Sequence, residues 1–279
     1  MKKNRQIGKL AIIVLMAISF CGNAQEKLTQ DTMECHIVGF NFATVFPSRG
    51  GSIATAPDGT KSQLGTMYDL YKMPFLNFGL NAIYKYKSNW LVFLDGDFMF
   101  GSDNLKGRGN RMPNLYTRDS IIIGTNGTDA VVTCYNRGFN VRAGLGKIIK
   151  VSKKNPNSGI LLKLTGGWIQ QQTVFKLNEV KAPQIDGDYA HLYDHQRMGG
   201  VLTEGIGYWF MSNNYNLVNF YVTFELSQSW MKSTREYIID DLMGLRGKDP
   251  NHYFDLTYTI KFCWMFPLKG KTTYDYYYY

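Results

Sequence analysis

The feature that most constrains this chain is a period-two alternation of apolar and polar residues that recurs along its length. It is clearest near the carboxyl end, where seven alternate positions are apolar or aromatic: Phe254, Leu256, Tyr258, Ile260, Phe262, Trp264 and Phe266. Polar residues such as Asp255, Thr257 and Lys261 lie between them. Because successive side chains of a β-strand point to opposite faces, this pattern predicts a strand with one apolar face.

Seven further segments show the same alternation. Their first apolar residues are Val38, Leu76, Trp90, Phe139, Ile160, Leu202 and Val218. The sixth segment is the least regular, because Glu204 shares a face with Leu202 and Ile206. Together with the heavy use of Tyr (19), Phe (17) and Gly (28), the eight segments predict an all-β fold.

Alternation alone would also fit a soluble β-sandwich, but the length and polar faces of the segments favour a membrane. Most segments extend over about ten residues, the span of a tilted membrane strand, whereas soluble strands usually have about five or six. Their polar faces are rich in Gly, Asn and Thr and carry single charges. Such faces suit the interior of a narrow barrel better than a surface in contact with water.

Short and long connections alternate between the segments. The short ones are 87–89, 152–158 and 212–216, and the long ones are 48–74, 101–130, 171–200 and 232–251. Outer-membrane barrels have this arrangement, with short periplasmic turns and long extracellular loops. Lipid cannot satisfy the hydrogen bonds of an open sheet edge, so the last strand must pair with the first. The sequence therefore predicts a closed eight-stranded antiparallel transmembrane β-barrel over residues 25–267, with four long extracellular loops and both termini in the periplasm.

The first 24 residues have the layout of a secretory signal peptide. A basic head (Lys2, Lys3, Arg5) precedes an apolar run over 10–20 that is too short for a transmembrane helix, and Ala24 provides a cleavage site. The alternative is a lipoprotein signal acylated at Cys21. The net charge is +9, and removal of the four basic residues of the signal leaves +5, which is too weak to indicate binding to nucleic acid.

Aromatic residues fall near both predicted membrane interfaces, as amphipathic rings at the headgroup level would. Those near the periplasmic ends of the strands are Tyr84, Tyr86, Trp90, Tyr208, Trp264 and Phe266. Those near the outer ends are Phe46, Phe98, Phe100 and Trp168.

Charged residues occur singly on the inward faces, four of each sign. They are Lys85, Arg142, Lys163 and Lys261 against Asp95, Asp97, Glu225 and Asp255. The register predicts the acids at 97, 225 and 255 toward the outside and the lysines toward the periplasm. Because lone buried charges are costly and an eight-stranded lumen is filled by side chains, we predict a salt-bridge network that plugs the lumen. An ion pathway is the alternative.

The sequence singles out no catalytic, cofactor-binding or metal-binding residues. His191 and His195, with Asp194 between them, would share one face of a helix and could hold a metal, but the segment shows no helical pattern. His195, Asp194, His252, Asp255 and Ser229 could form a catalytic group at the outer rim, although nothing in their spacing favours it. The mature cysteines Cys35, Cys134 and Cys263 have neither disulfide nor metal-ligand spacing.

Two segments are candidate interaction surfaces. In the last long loop, Ser233–Glu236 is a capping box followed by apolar residues, which predicts a short helix ending at Gly244 or Gly247. That helix would be a lid or a partner-binding surface. Residues 268–279 form a periplasmic tail whose tyrosines could add to a partner's sheet edge, or could be a frayed terminus. The tyrosines concerned are Tyr274, Tyr276, Tyr277, Tyr278 and Tyr279.

The signal exit Asn23-Ala24-Gln25, the eight alternating segments and the aromatic last strand over 253–266 resemble small outer-membrane β-barrel proteins of Bacteroidota, with OmpA/OmpX-like architecture. The resemblance is one of architecture and spans the mature chain. It implies a non-enzymatic scaffold or interaction protein, an accessory of the type IX secretion apparatus, with outer-membrane lipid and periplasmic ring proteins as partners. The alternatives are an outer-membrane enzyme acting on lipid or peptide at the extracellular rim and a narrow pore.

Overall fold

The computed structural model describes residues 32–47, 54–55, 61–62, 74–101, 115, 117, 121–152, 154–178, 180–194, 196–212, 218–240, 245–248 and 252–268. The predicted signal peptide (1–24), Cys21 and the tail tyrosines lie outside these residues. Within the described chain, eight strands form the wall of a closed barrel. They are β1 (Cys35–Pro47), β2 (Phe75–Lys85), β3 (Trp90–Phe100), β4 (Val131–Lys150), β5 (Gly159–Asn178), β6 (Arg197–Met211), β7 (Asn219–Ser233) and β8 (His252–Leu268).

Each strand of the barrel pairs antiparallel with its neighbours in the sequence, and β1 closes the ring by pairing with β8. At the closure, Phe42 of β1 lies opposite Phe78 of β2 on one side and Phe262 of β8 on the other. The predicted fold class is therefore confirmed. Strand β8 runs two residues beyond Phe266, and its last residue, Leu268, lies opposite His36.

Alternate residues of the strands point into the lumen and away from the barrel. In β1, Phe40 and Phe42 are each 48% exposed, whereas Asn41 between them is 1% exposed. The outward residues of the other strands are also mostly apolar. Apolar area of this extent is unfavourable in water, so the barrel wall has the surface of a protein that is embedded in lipid. No helix in the described residues is long and apolar enough to cross a bilayer.

The chain enters and leaves the barrel at the end with the short connections, here called the short-turn end. The opposite end, which carries the longer connections, is the long-loop end. In the tight turn between β2 and β3, Asn89 has a φ of 62° and its side-chain amide donates to the Pro156 carbonyl oxygen at 3.0 Å. The β2–β3 turn and the β4–β5 turn are therefore bound to each other.

Strands β4 and β5 are each 20 residues long, twice the predicted length. Residues 131–136 pair with 173–178 beyond the barrel wall, since β3 ends opposite Arg137 and β6 begins opposite Gln171. Residues 173–178 of the predicted loop 171–200, together with residues 131–136 just after the predicted loop 101–130, thus form a two-stranded extension, here called the ribbon. Pairing between its own strands satisfies backbone groups that would otherwise need partners.

The helix predicted in the last long connection is wrong. The chain forms a hairpin there, with Glu236–Asp240 paired to Leu245–Lys248. Ser233 belongs to β7, and its hydroxyl donates to the Arg235 carbonyl oxygen at 3.0 Å instead of accepting from a helix N-terminus. β-branched and aromatic residues such as Ile238 and Tyr237 favour strands, which outweighs the capping pattern.

Candidate functional site

The lumen is filled by side chains in layers. At the short-turn end the layer is apolar and aromatic, and the indole of Trp209 stacks on the ring of Tyr221 with centroids 5.7 Å apart. The other buried residues of this layer include Ile37, Leu91, Phe93, Ile148, Leu161 and Met265. This layer blocks the lumen at the end where both termini of the barrel lie.

Charged side chains meet in the middle of the lumen. Asp97 binds the Arg142 guanidinium at 2.6 Å and the Lys261 ammonium at 2.9 Å. Glu225 binds Arg142 at 3.3 Å and Lys163 at 3.0 Å, and Lys163 also reaches Asp95 at 2.5 Å. These six side chains, here called the charge cluster, come from β3, β4, β5, β7 and β8. Their three positive and three negative charges balance.

Neutral side chains connect the charge cluster to the remaining strands. Asn41 of β1 donates to Asp97 at 3.1 Å, and Asn81 of β2 donates to Asn41 at 3.0 Å and to the Tyr221 hydroxyl at 2.8 Å. Arg142 donates to the Thr203 hydroxyl of β6 at 3.0 Å. All eight strands therefore contribute to one polar network. Sequence reasoning missed these neutral residues, although their inward position in the alternation was the signal that could have found them.

Glycines make room for the charge cluster. A Cβ at Gly79 would overlap the Asp97 carboxylate, and a Cβ at Gly205 would lie 3.3 Å from Cγ of Glu225 and 3.6 Å from Cβ of Lys163. Close packing brings opposite charges into direct contact, which offsets the large free energy needed to take them out of water.

Lys85 and Asp255, the other two predicted network residues, lie apart from the charge cluster. Lys85 is buried at the short-turn end, where its ammonium donates to the Met33 carbonyl oxygen at 2.9 Å and to Oδ1 of Asn157 at 3.0 Å. Asp255 is buried toward the long-loop end, and its carbonyl oxygen accepts from the Ser229 hydroxyl at 3.3 Å.

The predicted separation of acids from lysines along the barrel axis is wrong for the charge cluster. Asp97 and Glu225 lie at the same level as Lys163 and Lys261 and bind them directly. The tilt of barrel strands shifts neighbouring strands along the axis, so distance from a strand end does not give depth in the lumen.

A second apolar layer closes the lumen toward the long-loop end. It combines inward residues of the strands, such as Met99 and Val201, with residues of the connections, such as Ile122 and Ile185. Phe175 and Leu177 of the ribbon pack against it. Between this layer and the charge cluster lies a cavity of about 30 Å³, lined by Asn77, Asn140 and Arg142 among others. That volume suits one or two water molecules and no larger solute.

The β5–β6 connection, the β7–β8 connection and the ribbon are bound to one another at the long-loop end. The Asp194 carboxylate contacts the Arg235 guanidinium, and the Thr173 amide donates to the Asp194 carbonyl oxygen at 3.0 Å. The Thr234 amide donates to the Gln196 carbonyl oxygen at 3.1 Å. Burial raises the pKa of Asp194, while Arg235 and His191 act in the opposite direction. The loops therefore form a connected cap over the mouth of the barrel.

The two candidate metal-binding histidines do not form a described site. His191 lies in a 3₁₀-helix, Gly187–Leu192, where the sequence indicated no helix, and His195 lies outside the described residues. Nδ1 of His191 is 3.4 Å from Oδ2 of Asp194 and 2.9 Å from the Arg235 guanidinium. Among the described residues, no group of three or more His, Cys, Asp or Glu side chains could hold a metal ion.

The candidate catalytic residues at the rim that the structure describes are not brought together either. Ser229 and Asp255 are buried on the inward faces of β7 and β8, whereas His252 is exposed on the outward face of β8. A nucleophile and its base must lie within hydrogen-bond distance, and these side chains are on opposite sides of the wall. Cys35 and Cys263 are both buried thiols.

The closed ring, the apolar outer wall and the filled lumen define the class of the protein: it is a transmembrane β-barrel of the outer-membrane type with an occluded interior. Solved structures of outer-membrane proteins are similar to it. The attachment invasion locus protein Ail of Yersinia pestis has 11% identity and a TM-score of 0.37, over 84% of this chain and 100% of that chain.

Two further outer-membrane proteins show a comparable likeness. OprG of Pseudomonas aeruginosa has 15% identity and a TM-score of 0.34, over 86% of this chain and 99% of that chain. AlkL, solved in lipid bilayers, has 9% identity and a TM-score of 0.38, over 90% of this chain and 98% of that chain. No protein-family model and no curated protein matches the sequence.

Proposed function

We propose that this protein is a non-enzymatic interaction protein of the outer membrane, which binds other envelope components and does not transport solutes. The observation that carries the proposal is the lumen, which two apolar layers and a neutral charge cluster occupy. The cavity of about 30 Å³ next to the cluster is far smaller than any nutrient. An occluded barrel acts through the surfaces that it presents on either side of the membrane.

The ribbon and the loop cap are the surfaces that support this proposal at the long-loop end. The ribbon extends six residue pairs past the barrel wall, and the contacts of Asp194 and Arg235 hold the cap together. A preformed surface loses little conformational entropy on binding, which favours specific association. We propose that this end faces the outside and that both termini lie in the periplasm.

Conductance measurements test the occluded lumen. Purified protein reconstituted into planar lipid bilayers is expected to give no steady current under an applied voltage, because the charge cluster and both apolar layers block the path. An open porin in the same bilayers is the positive control. A steady, large conductance from this protein would refute the proposal and favour the pore.

The narrower form of the proposal is a role as an accessory of the type IX secretion apparatus. It draws on the architectural resemblance of the sequence and on the tyrosine tail, whose periplasmic position would suit a ring protein. Photocrosslinkers placed in the tail and, separately, in the ribbon of intact cells are expected to trap a periplasmic ring protein from the tail. If the tail traps no envelope protein, this narrower role fails even where the ribbon finds a partner.

A strain that lacks the gene tests the enzymatic alternative. The mass spectrum of lipid A is expected to be unchanged when the gene is deleted, since Ser229, Asp255 and His252 do not form a catalytic group. A modification that disappears on deletion and returns with the wild-type gene would contradict the non-enzymatic role.

A further inference from the structure

A pocket of about 200 Å³ opens on the outer wall toward the long-loop end, where β3, β4 and β5 lie side by side. Three phenyl rings and three polar side chains form most of its lining: Phe98, Phe100, Phe139, Arg137, Gln170 and Gln172. Strand pairing arranges them in two rows. Phe98, Phe139 and Gln170 form the row nearer the middle of the barrel, and Phe100, Arg137 and Gln172 form the row nearer the long-loop end. The pocket is therefore apolar along β3 and polar along β5.

The pocket lies where the apolar part of the wall ends. Along β5, the outward residues are apolar or glycine up to Trp168, and the next one, Gln170, is polar. Along β4, they are apolar from Leu145 to Phe139, and the next one, Arg137, is basic. In a membrane barrel, a belt of aromatic residues followed by polar ones marks the depth at which acyl chains give way to headgroups. The pocket is therefore at the headgroup level of one leaflet.

The Arg137 guanidinium is held in place by the protein. Its Nη1 donates to the Gly101 carbonyl oxygen at 3.1 Å and to the Asn136 carbonyl oxygen at 3.0 Å. Its Cζ lies 5.4 Å from the centre of the Phe100 ring and 5.1 Å from the centre of the Tyr135 ring. Within the described part of the chain, Nε and Nη2 have no hydrogen-bond partner. These two nitrogens share one edge of the guanidinium, so a fixed pair of N–H donors is left for a ligand.

The neighbouring side chains complete an amphipathic site. The carboxamides of Gln170 and Gln172 have no hydrogen-bond partner among the described residues, and each can both donate and accept. The rings of Phe98 and Phe139 are 63% and 37% exposed and continue the pocket into the apolar wall. The site therefore offers one cation and several donors beside a surface suited to hydrocarbon.

We infer that this pocket binds the phosphate-bearing headgroup of a membrane lipid. The planar guanidinium of Arg137 presents parallel N–H donors that match two oxygens of one phosphate. The carboxamides of Gln170 and Gln172 donate to the phosphate or to the ester oxygens beside it. The rings of Phe98 and Phe139 contact the acyl chains where these leave the headgroup.

Both the charge and the depth of the pocket favour a lipid as the occupant. Within the described part of the chain, Arg137 forms no ion pair, so the protein supplies no counter-charge to its guanidinium there. The surrounding wall faces the bilayer, and the anions at headgroup depth in a bilayer are lipid phosphates. The inference concerns the lipid-facing wall and does not depend on partners at the cap or the tail. It holds for either orientation of the barrel in the membrane, so its failure and that of the proposed function are distinguishable.

Titration with single lipids in detergent tests the inference. Folded protein in a maltoside detergent, which carries no phosphate, is titrated with dioleoylphosphatidylglycerol, and the bound lipids are counted by native mass spectrometry. The wild type is expected to retain the lipid, and Arg137→Gln is expected to bind it about tenfold more weakly. Lys232→Gln is the matched control, because it removes an exposed cation from the outward face of β7, outside the pocket. It is expected to bind like the wild type.

Two further variants separate the pocket from charge alone. Arg137→Lys keeps the charge but not the planar pair of donors, and it is expected to bind more weakly than the wild type. Gln172→Leu keeps the guanidinium and is expected to bind about threefold more weakly, which keeps the inference testable if the Arg137 variants fold poorly. Each variant is first checked for a folded barrel by the shift in gel migration on heating.

The choice of ligand identifies what the pocket recognises. Dioleoylglycerol, which has the same chains without the phosphate, is expected not to bind, and inorganic phosphate alone is expected to bind far more weakly than the lipid. Equal binding of dioleoylglycerol and the phospholipid, or of inorganic phosphate and the phospholipid, would overturn the inference. Equal affinities of the wild type, Arg137→Gln and Gln172→Leu would overturn it as well, and so would an equal loss in Lys232→Gln, which would indicate diffuse attraction to basic residues.

Discussion

Neutralising Glu225 is the perturbation that tests the charge cluster most sharply. Its carboxylate binds Arg142 at 3.3 Å and Lys163 at 3.0 Å, and all three side chains are at most 5% exposed. Glu225→Gln keeps the size of the side chain but leaves three cations facing two acids inside the lumen. The stability of the barrel is therefore expected to fall.

The size of the stability loss depends on the partners that Arg142 and Lys163 keep in the Glu225→Gln variant. Loss of one partner of a buried ion pair destabilises a protein by about 3–5 kcal/mol. Arg142 still has Asp97 at 2.6 Å, and Lys163 still has Asp95 at 2.5 Å. We therefore expect the lower end of that range, about 3 kcal/mol in the free energy of unfolding.

Urea unfolding in detergent micelles, followed by tryptophan fluorescence, measures the effect. Glu236→Gln, the same change on an exposed side chain of the hairpin that follows β7, is the control and is expected to alter stability by less than about 0.5 kcal/mol. In the double variant Glu225→Gln with Lys163→Met the charges balance again. Its loss is expected to be smaller than the sum of the single losses by about 1–3 kcal/mol. Equal effects of Glu225→Gln and Glu236→Gln, together with strict additivity in the double variant, would show that Glu225 does not stabilise the barrel through Arg142 and Lys163.

Three further changes test other parts of the structure. Gly79→Ala is expected to lower the free energy of unfolding by about 1–3 kcal/mol, because the new Cβ would overlap the Gly96 carbonyl oxygen. Gly96→Ala is the control, because no heavy atom lies within 4 Å of its new Cβ. Equal urea midpoints for the two variants would contradict the close packing at Gly79. Arg235→Ala is expected to speed amide exchange in the connection between β5 and β6 without shifting global unfolding; unchanged exchange there would count against a connected cap. Lys85→Met is expected to cost about 1–3 kcal/mol of unfolding free energy, because the Met33 carbonyl oxygen loses its ammonium donor and Oδ1 of buried Asn157 keeps only the Met33 amide. The exposed change Lys87→Met is expected to cost nothing measurable.

The barrel wall could be predicted from the sequence because lipid and a packed lumen impose opposite demands on alternate residues. Phe40, Asn41 and Phe42 illustrate this, since the phenyl rings face outward and the amide faces the lumen. The alternation of apolar and polar residues is required only within the barrel wall. Residues 131–136 and 173–178 form the ribbon outside the barrel, where one face packs on the cap and no alternation with lipid is required.

The charge cluster could be predicted in composition but not in arrangement. The inward position of Asp97, Glu225, Lys163 and Lys261 follows from alternation alone. Which of them meet depends on the shift between neighbouring strands, and that shift is a property of the closed ring as a whole. For the same reason Lys85 pairs with the Asn157 turn and not with an acid. The capping pattern at Ser233 predicted a helix wrongly because it is a local signal. Pairing between the two strands of the hairpin outweighed it.

Quenching of single tryptophans by brominated acyl chains tests most directly the claim that the apolar wall faces lipid around a filled lumen. The chain has five tryptophans: Trp209 is 0% exposed inside the lumen, whereas Trp90, Trp168, Trp230 and Trp264 are 44–50% exposed on the outer wall. In vesicles of brominated lipid, the fluorescence of variants that keep one outer tryptophan is expected to be strongly quenched. The fluorescence of the variant that keeps Trp209 alone is expected to be quenched weakly. Equal quenching of all five, or a protein that stays folded in buffer without detergent and shows no quenching, would contradict the account.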